Sequence, residues 1–298
     1  MESYGIMFHH LHGGVYPKSQ GSISTEQLAR IIEHYQRLLL PAQQWADRAL
    51  AGTLKNEICL TFDDNLRCQF DLAYPVLRRY RLTGFWFVST AIFAGQPDLL
   101  EVYHRFRNEH FSSIKHFYRT FFAAAGHEST LRDFNPAAYL IQYPFYTGDD
   151  RRFRYLREEV MSVAEYDAVM ATLIAERGLT VAALSDDLWL TPDQLQALHR
   201  EGHVIGLHSH THPMDIKRLE AAAQRHEYRQ NIDMLTHLLG VEPFALSHPC
   251  GSYSQQTLNV LSALGITVGF RDTMTAGPTT LEYPRQDSSL IVKQLDRI

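Results

Sequence analysis

No run in this 298-residue chain is apolar for long enough to span a bilayer. Its start, Met1-Glu2-Ser3-Tyr4-Gly5, has neither the basic stretch nor the apolar stretch of a secretory signal. Cysteine is scarce: Cys59, Cys68 and Cys250 are scattered, odd in number and form no CxxC pair. That excludes a disulfide framework and a cysteine-built zinc knuckle, and it fits a reducing compartment. Positive charge is not in excess, with 28 Lys and Arg against 33 Asp and Glu, which argues against a general nucleic-acid binder. There is no internal repeat and no low-complexity segment. The expectation is a cytoplasmic, enzyme-sized chain; its 45% hydrophobic content can bury one large core or two ordinary ones.

What is present is a strand–helix rhythm. Ser24-Thr25-Glu26-Gln27 is a capping box opening a helix with a Leu28, Ile31, Ile32, Tyr35, Leu38, Leu39 stripe, stopped by Pro41. Ile58, Leu60 and Phe62 alternate as a strand, a helix runs through Leu66 to Tyr80 with Pro75 as a kink or restart, and Thr83–Ser89 is a strand. The rhythm lapses between residues 96 and 188, a segment rich in aromatics and arginine that reads as mostly helical. The simplest account is one barrel over residues 1–298 carrying this segment as an insertion, a cap over the site or an oligomer interface. Its Arg151-Arg152-Phe153-Arg154-Tyr155-Leu156-Arg157 run reads either as a solvated helix face or as a phosphate clamp. From Thr191-Pro192-Asp193-Gln194 onward, helices alternate again with short apolar runs ending at Leu207, Ser247 and Phe270, implying a parallel sheet.

Chemistry-bearing residues gather at the ends of these runs. Gly206-Leu207-His208-Ser209-His210-Thr211-His212-Pro213 places three histidines at alternate positions after a buried strand. Continued as strand or as helix, the chain lets His208 and His212 converge. Neutral imidazole is the commonest metal ligand, and crowded imidazoles resist protonation and favour a shared cation. Asp63 and Asp64 end the strand at Phe62, where α/β folds build their sites, although Asp64 could equally cap the next helix. His9, His10 and His12 follow the first strand and read, one by one, as a solvated turn.

Taken in order, Thr61-Phe62-Asp63-Asp64, His208-Ser209-His210-Thr211-His212-Pro213 and Pro249-Cys250-Gly251 resemble the metal-dependent polysaccharide deacetylases, also called the NodB-homology or carbohydrate esterase family 4 proteins. The resemblance covers residues 55–95 and 188–275. It implies an α/β fold, a distorted (β/α) barrel with fewer than eight strands. It also implies Asp64, His208 and His212 as ligands of a divalent metal ion, Zn2+ first and Ni2+, Co2+ or Fe2+ otherwise. Asp63 is then the general base, and the backbone N–H of Cys250 supports the oxyanion.

The family's general-acid histidine sits in a late L-x-H motif, and Pro284–Leu290 holds no histidine. A circularly permuted branch, the poly-N-acetylglucosamine deacetylases, carries that strand at the N-terminus. Met7-Phe8-His9 resembles it, which makes His9 the expected acid and His10 the second choice. Two further departures stand out: Asn65 replaces the glycine after the aspartate pair, and no arginine precedes the P-x-G loop to hold the base, leaving Arg271 or Arg285 as substitutes.

The implied reaction is hydrolysis of the N-acetyl amide of an amino sugar in a cell-surface polysaccharide, lipopolysaccharide or capsule, or in its precursor. The expected location favours a nucleotide- or lipid-linked substrate, whose phosphate the arginine run could meet. Two other readings stay open. Leu207-His208-Ser209-His210-Thr211 resembles the start of PHP-type phosphoesterases, in which His208 and His210 would both bind metal. A deacetylase-like barrel could also bind sugar without turnover.

Overall fold

Among the described residues, seven strands make one parallel sheet: β1 (Tyr4–Phe8), β2 (Ile58–Phe62), β3 (Phe85–Val88), β4 (Val204–Leu207), β5 (Ala245–Ser247), β6 (Val268–Phe270) and β7 (Arg285–Asp287). Their order is β6-β5-β4-β3-β2-β1-β7. This computed structural model describes residues 3–141 and 146–297. Met1 and Glu2, residues 142–145 of the expected insertion, and Ile298 lie outside the described residues. The chain divides into two units, Met1–Asp98 with Asp187–Ile298, and Leu99–Asp186.

The first unit is a distorted (β/α) barrel of seven strands. Its outer edges meet through the segment entering β7: Phe270 pairs with Tyr283, and Gly269 N–H donates to Thr280 O at 2.8 Å. A Cβ on Gly269 would fall 2.4 Å from Leu281 O, so this seam requires glycine. Every residue of β1 to β6 is buried, because both faces of the sheet are covered; hence the apolar run Phe85–Val88 and the stretch Ile58–Phe62, in which the hydroxyl of Thr61 donates to Ile6 O at 3.0 Å. Side chains alternate between two packings. Ile58, Leu60, Phe62, Trp86 and Val88 pack with the flanking helices, while Cys59, Phe85, Phe87, Val268 and Phe270 gather with Trp45. Trp45 belongs to the Ala42–Leu50 helix, so Pro41 both ends the preceding turn and opens a helix the sequence pattern did not suggest.

The helix expected from Leu66 to Tyr80 is broken in two. A wide turn over Gln69–Ala73, with Tyr74 N–H reaching back to Gln69 O, precedes the Tyr74–Tyr80 helix. Pro75 sits in the first turn of that helix, where its missing N–H costs nothing. The break has a use. It leaves Gln69 buried, with Nε2 donating to His9 O at 3.0 Å and to Asp63 O at 2.6 Å, which ties the ends of β1 and β2 together.

The second unit is built of helices, among them Leu99–Glu109, Ile114–Ala125, Gly148–Tyr155 and Val163–Glu176. Phe106, Phe117, Phe121, Phe153, Leu156, Met170 and Leu173 are among its buried side chains, with ring pairs such as Phe121–Phe153 at 5.0 Å. The arginine run is largely satisfied within the unit: Arg152 pairs with Asp149, Arg154 and Arg157 with Glu158, and Arg151 donates to Pro136 O.

Candidate active site

The C-terminal ends of β1, β2, β4 and β5 deliver His9, Asp63–Asp64, His208 and Ser247–His248 to one end of the barrel. The backbone there is unusually contorted. Asp64, Asn65, Ser209, His212 and Cys250 all have positive φ, between 43° and 71°. Such conformations cost energy in non-glycine residues and collect where geometry serves function. Asn65 tolerates this region where the family pattern has glycine, and its Oδ1 accepts from Ser89 N–H at 3.2 Å.

Asp64, His208 and His212 are buried and form a group whose donor atoms all lie within 4.8 Å of one another. Asp64 Oδ1 is 3.3 Å from His208 Nε2 and 3.5 Å from His212 Nε2. Donor atoms bound at about 2.0–2.1 Å to a tetrahedral ion sit roughly 3.3 Å apart, so these spacings fit. His212 Nε2 is buried and makes no hydrogen bond, as expected of an atom reserved for a ligand. Both rings are held from behind: His208 Nδ1 lies 2.9 Å from Ser247 O, and His212 Nδ1 lies 2.8 Å from Asp98 Oδ2. The two histidines converge through neither a strand nor a helix. A loop turned by left-handed Ser209 and His212 brings their rings to 4.7 Å, with His212 N–H capped by Ser209 Oγ.

Asp63 faces a different partner. Arg285 donates Nη1 to Asp63 Oδ1 at 2.7 Å and Nη2 to Oδ2 at 2.8 Å, while Ser247 Oγ donates to Oδ2 at 3.1 Å. Arg285 starts β7 level with Gly5, and a Cβ on Gly5 would sit 3.1 Å from Arg285 Cγ. Glycine there leaves the corridor through which the guanidinium reaches the carboxylate. Both groups are buried, Asp63 at 2% exposure and Arg285 at 1%. Burial alone would push the Asp63 carboxyl up, but the Arg285 charge overrides it and holds it below the ordinary carboxylate range. Burial likewise opposes ionisation of Asp64, and is outweighed by the His208 hydrogen bond and the neighbouring His9 and His212.

His9 stands at the rim, its side chain 37% exposed, with Nε2 3.8 Å from Asp63 Oδ2 and 3.9 Å from Asp64 Oδ2. The structure therefore brings His9 to the aspartate pair, while His10 is seen through its backbone carbonyl, which accepts from Ile23 N–H. Cys250 is exposed at the left-handed corner of the turn after β5, φ 50° and ψ 24°. His210 is turned elsewhere: its Nδ1 lies 2.9 Å from Thr90 Oγ1, and Glu227 accepts from the backbone N–H groups of His210 and Thr211. Asp98, Ser247, Gln69, Asn231 and Glu227 support the site and carried no signal in the sequence, since each acts across a long separation on a neighbour that only the fold supplies. Asn231, for instance, accepts from His208 N–H at 3.1 Å.

A family model described as polysaccharide deacetylase matches residues 156–269, which include His208, His212 and the Pro249–Gly251 turn. No curated protein matches the chain in sequence. Among solved structures, the Streptococcus pyogenes deacetylase PplD, in complex with acetate, is similar with TM-score 0.57 at 15% identity, over 100% of this chain and 97% of that one. IcaB from Ammonifex degensii is similar with TM-score 0.55 at 14% identity, over 100% and 97%. A de-N-acetylase from Aggregatibacter actinomycetemcomitans gives TM-score 0.56 at 10% identity, over 96% and 95%. At these identities the structural likeness speaks for the fold. Together with the family-model match and the order of the three motifs, it makes this chain similar to the polysaccharide deacetylases of NodB-homology type.

Proposed function

We propose that this chain is a metal-dependent deacetylase that hydrolyses the N-acetyl amide of an amino sugar. The observation that carries the reading is Asp63, a buried carboxylate clamped by Arg285 and adjacent in the chain to the Asp64–His208–His212 group. A divalent cation held by those three residues, Zn2+ first among Zn2+, Ni2+, Co2+ and Fe2+, would supply a Lewis acid for the acyl carbonyl and an acidified water. Asp63, kept ionised by Arg285, takes the proton of the attacking water. The bidentate clamp leaves Asp63 one orientation, so the proton acceptor is in place before substrate arrives. The Cys250 turn presents its backbone N–H to the oxyanion. His9, at the solvent-facing rim, gives a proton to the departing nitrogen, because an amine leaves poorly unless protonated.

The substrate we assign is an N-acetylated amino sugar in a lipopolysaccharide or capsule precursor, linked to a nucleotide or lipid phosphate and deacetylated in the cytoplasm. Support comes from the three scattered cysteines, odd in number and without a CxxC pair, which fit a reducing compartment. The phosphoesterase reading needs His210 as a ligand, whereas the donor atoms that come together are those of Asp64, His208 and His212. Binding without turnover has no need of a clamped base.

The test is acetate release from N-acetylglucosamine oligomers and from a nucleotide-linked N-acetylamino sugar. Wild type is expected to release acetate, and Asp63→Asn to do so about 10²–10⁴-fold more slowly with its metal content intact. An Asp63→Asn variant as fast as wild type removes the base, and no acetate from any N-acetylated sugar removes the deacetylase reading.

A further inference from the structure

The two imidazoles of the metal group are steadied differently. His208 follows β4 directly, its backbone N–H bonded to Asn231 and its Nδ1 to the neutral carbonyl of Ser247. His212 lies in an irregular loop at φ 53°, where no repeating structure fixes the ring. Its Nδ1 meets a carboxylate, Asp98 Oδ2, at 2.8 Å, and both side chains are about nine-tenths buried or more, with exposures of 5% and 11%. That contact sets the tautomer with the proton on Nδ1 and turns a lone pair on Nε2 toward Asp64, 3.5 Å away. A carboxylate behind a ligating imidazole also makes the ring a stronger donor than a neutral acceptor would. Asp98 belongs to none of the motifs in the sequence. It is the last residue of the first segment of the barrel unit, where the chain departs for Leu99–Asp186.

We infer that Asp98 is a positioning residue for the metal, acting through His212. The inference rests on the reading of Asp64, His208 and His212 as the ligand set. An exposed ion pair would be worth little, but this one orients an atom that is itself buried and makes no hydrogen bond.

The experiment measures zinc affinity of the full chain by competition with a chromophoric chelator, without reference to activity. Asp98→Ala is expected to bind zinc about 10–100-fold more weakly than wild type, with Asp98→Asn in between. In a His212→Ala background, Asp98→Ala is expected to change affinity by no more than about twofold, since a residue acting only through His212 has nothing left to act on. The near-isosteric Asp98→Asn, checked by circular dichroism, keeps the test open if Asp98→Ala misfolds. Wild-type affinity in both Asp98 variants overturns the inference, and so does a full-sized loss in the His212→Ala background. If Asp64→Ala and His212→Ala retain wild-type affinity, the ligand set itself is wrong; if they lose it while Asp98→Ala does not, only the role of Asp98 falls.

Discussion

Arg285 and Asp63, 222 residues apart in sequence, meet in the barrel through two parallel hydrogen bonds of 2.7 and 2.8 Å. Arg285 also donates from Nη2 to Ser247 Oγ and from Nε to Arg271 O, so its fork is fixed by β5 and by the turn after β6. Desolvating such a pair is costly, and removing one member is costlier still, because the other stays buried without its counter-charge.

Arg285→Met is therefore expected to destabilise the fold by about 3–5 kcal/mol in urea denaturation. In whatever folds, the base should change too. The wild-type Asp63 carboxyl lies below its unfolded value, so its contribution to stability is present above about pH 4 and is lost as pH falls through the lower folded pKa. Without Arg285, burial is opposed only by the neighbouring His208 and His9, and that pKa rises. The acid limb of kcat/KM should then move to higher pH in Arg285→Met and stay near wild type in Arg285→Lys, which keeps the charge. An unmoved limb in Arg285→Met would separate Asp63 from the base.

His9→Asn is expected to lower kcat on an N-acetyl sugar by about 10²–10⁴-fold while leaving metal content unchanged. The discriminating comparison is p-nitrophenyl acetate, whose leaving group needs no protonation. Its hydrolysis should suffer far less. Equal losses on both substrates would point to a positional rather than a proton-donating role.

The acid sensitivity of the fold has a separate source in His203. Its Nδ1 accepts from Gly84 N–H and Trp86 Nε1–H, both at 3.0 Å, and protonation would set a third N–H against these two. Burial, opposed by the Glu201 charge, lowers its pKa to about 4. Between about pH 4 and 6.5 the unfolded chain binds the proton that the native chain refuses, so stability should rise with pH across that window. The contribution amounts to about 3 kcal/mol at most. His203→Gln, which retains an acceptor and does not titrate, should flatten the dependence of the urea midpoint on pH, and an unchanged slope would assign it elsewhere.

Much of the barrel was legible because strands buried on both faces are mostly apolar and several of the helices carry capping boxes. Ser24 and Thr191 open helices as their sequences suggest. The aspartate pair and the histidine run were visible because they lie at strand ends. The parallel sheet of fewer than eight strands and the likeness to polysaccharide deacetylases came out as the motifs implied. The short strand Arg285–Asp287 was illegible, since a three-residue polar strand has no period to detect. The choice between Arg271 and Arg285 was equally hidden, because it depends on the corridor at Gly5. Asp98 gave no sign either: its partner His212 is 114 residues away and turns toward it through a left-handed loop.

The most direct test is metal content by elemental analysis after purification under metal-replete conditions. Wild type, His210→Ala and Asp63→Asn are expected to carry one divalent ion per chain, and Asp64→Ala, His208→Ala and His212→Ala to lose it. Retention in Asp64→Ala together with loss in His210→Ala would contradict the ligand set and the roles drawn from it for Asp63 and His9.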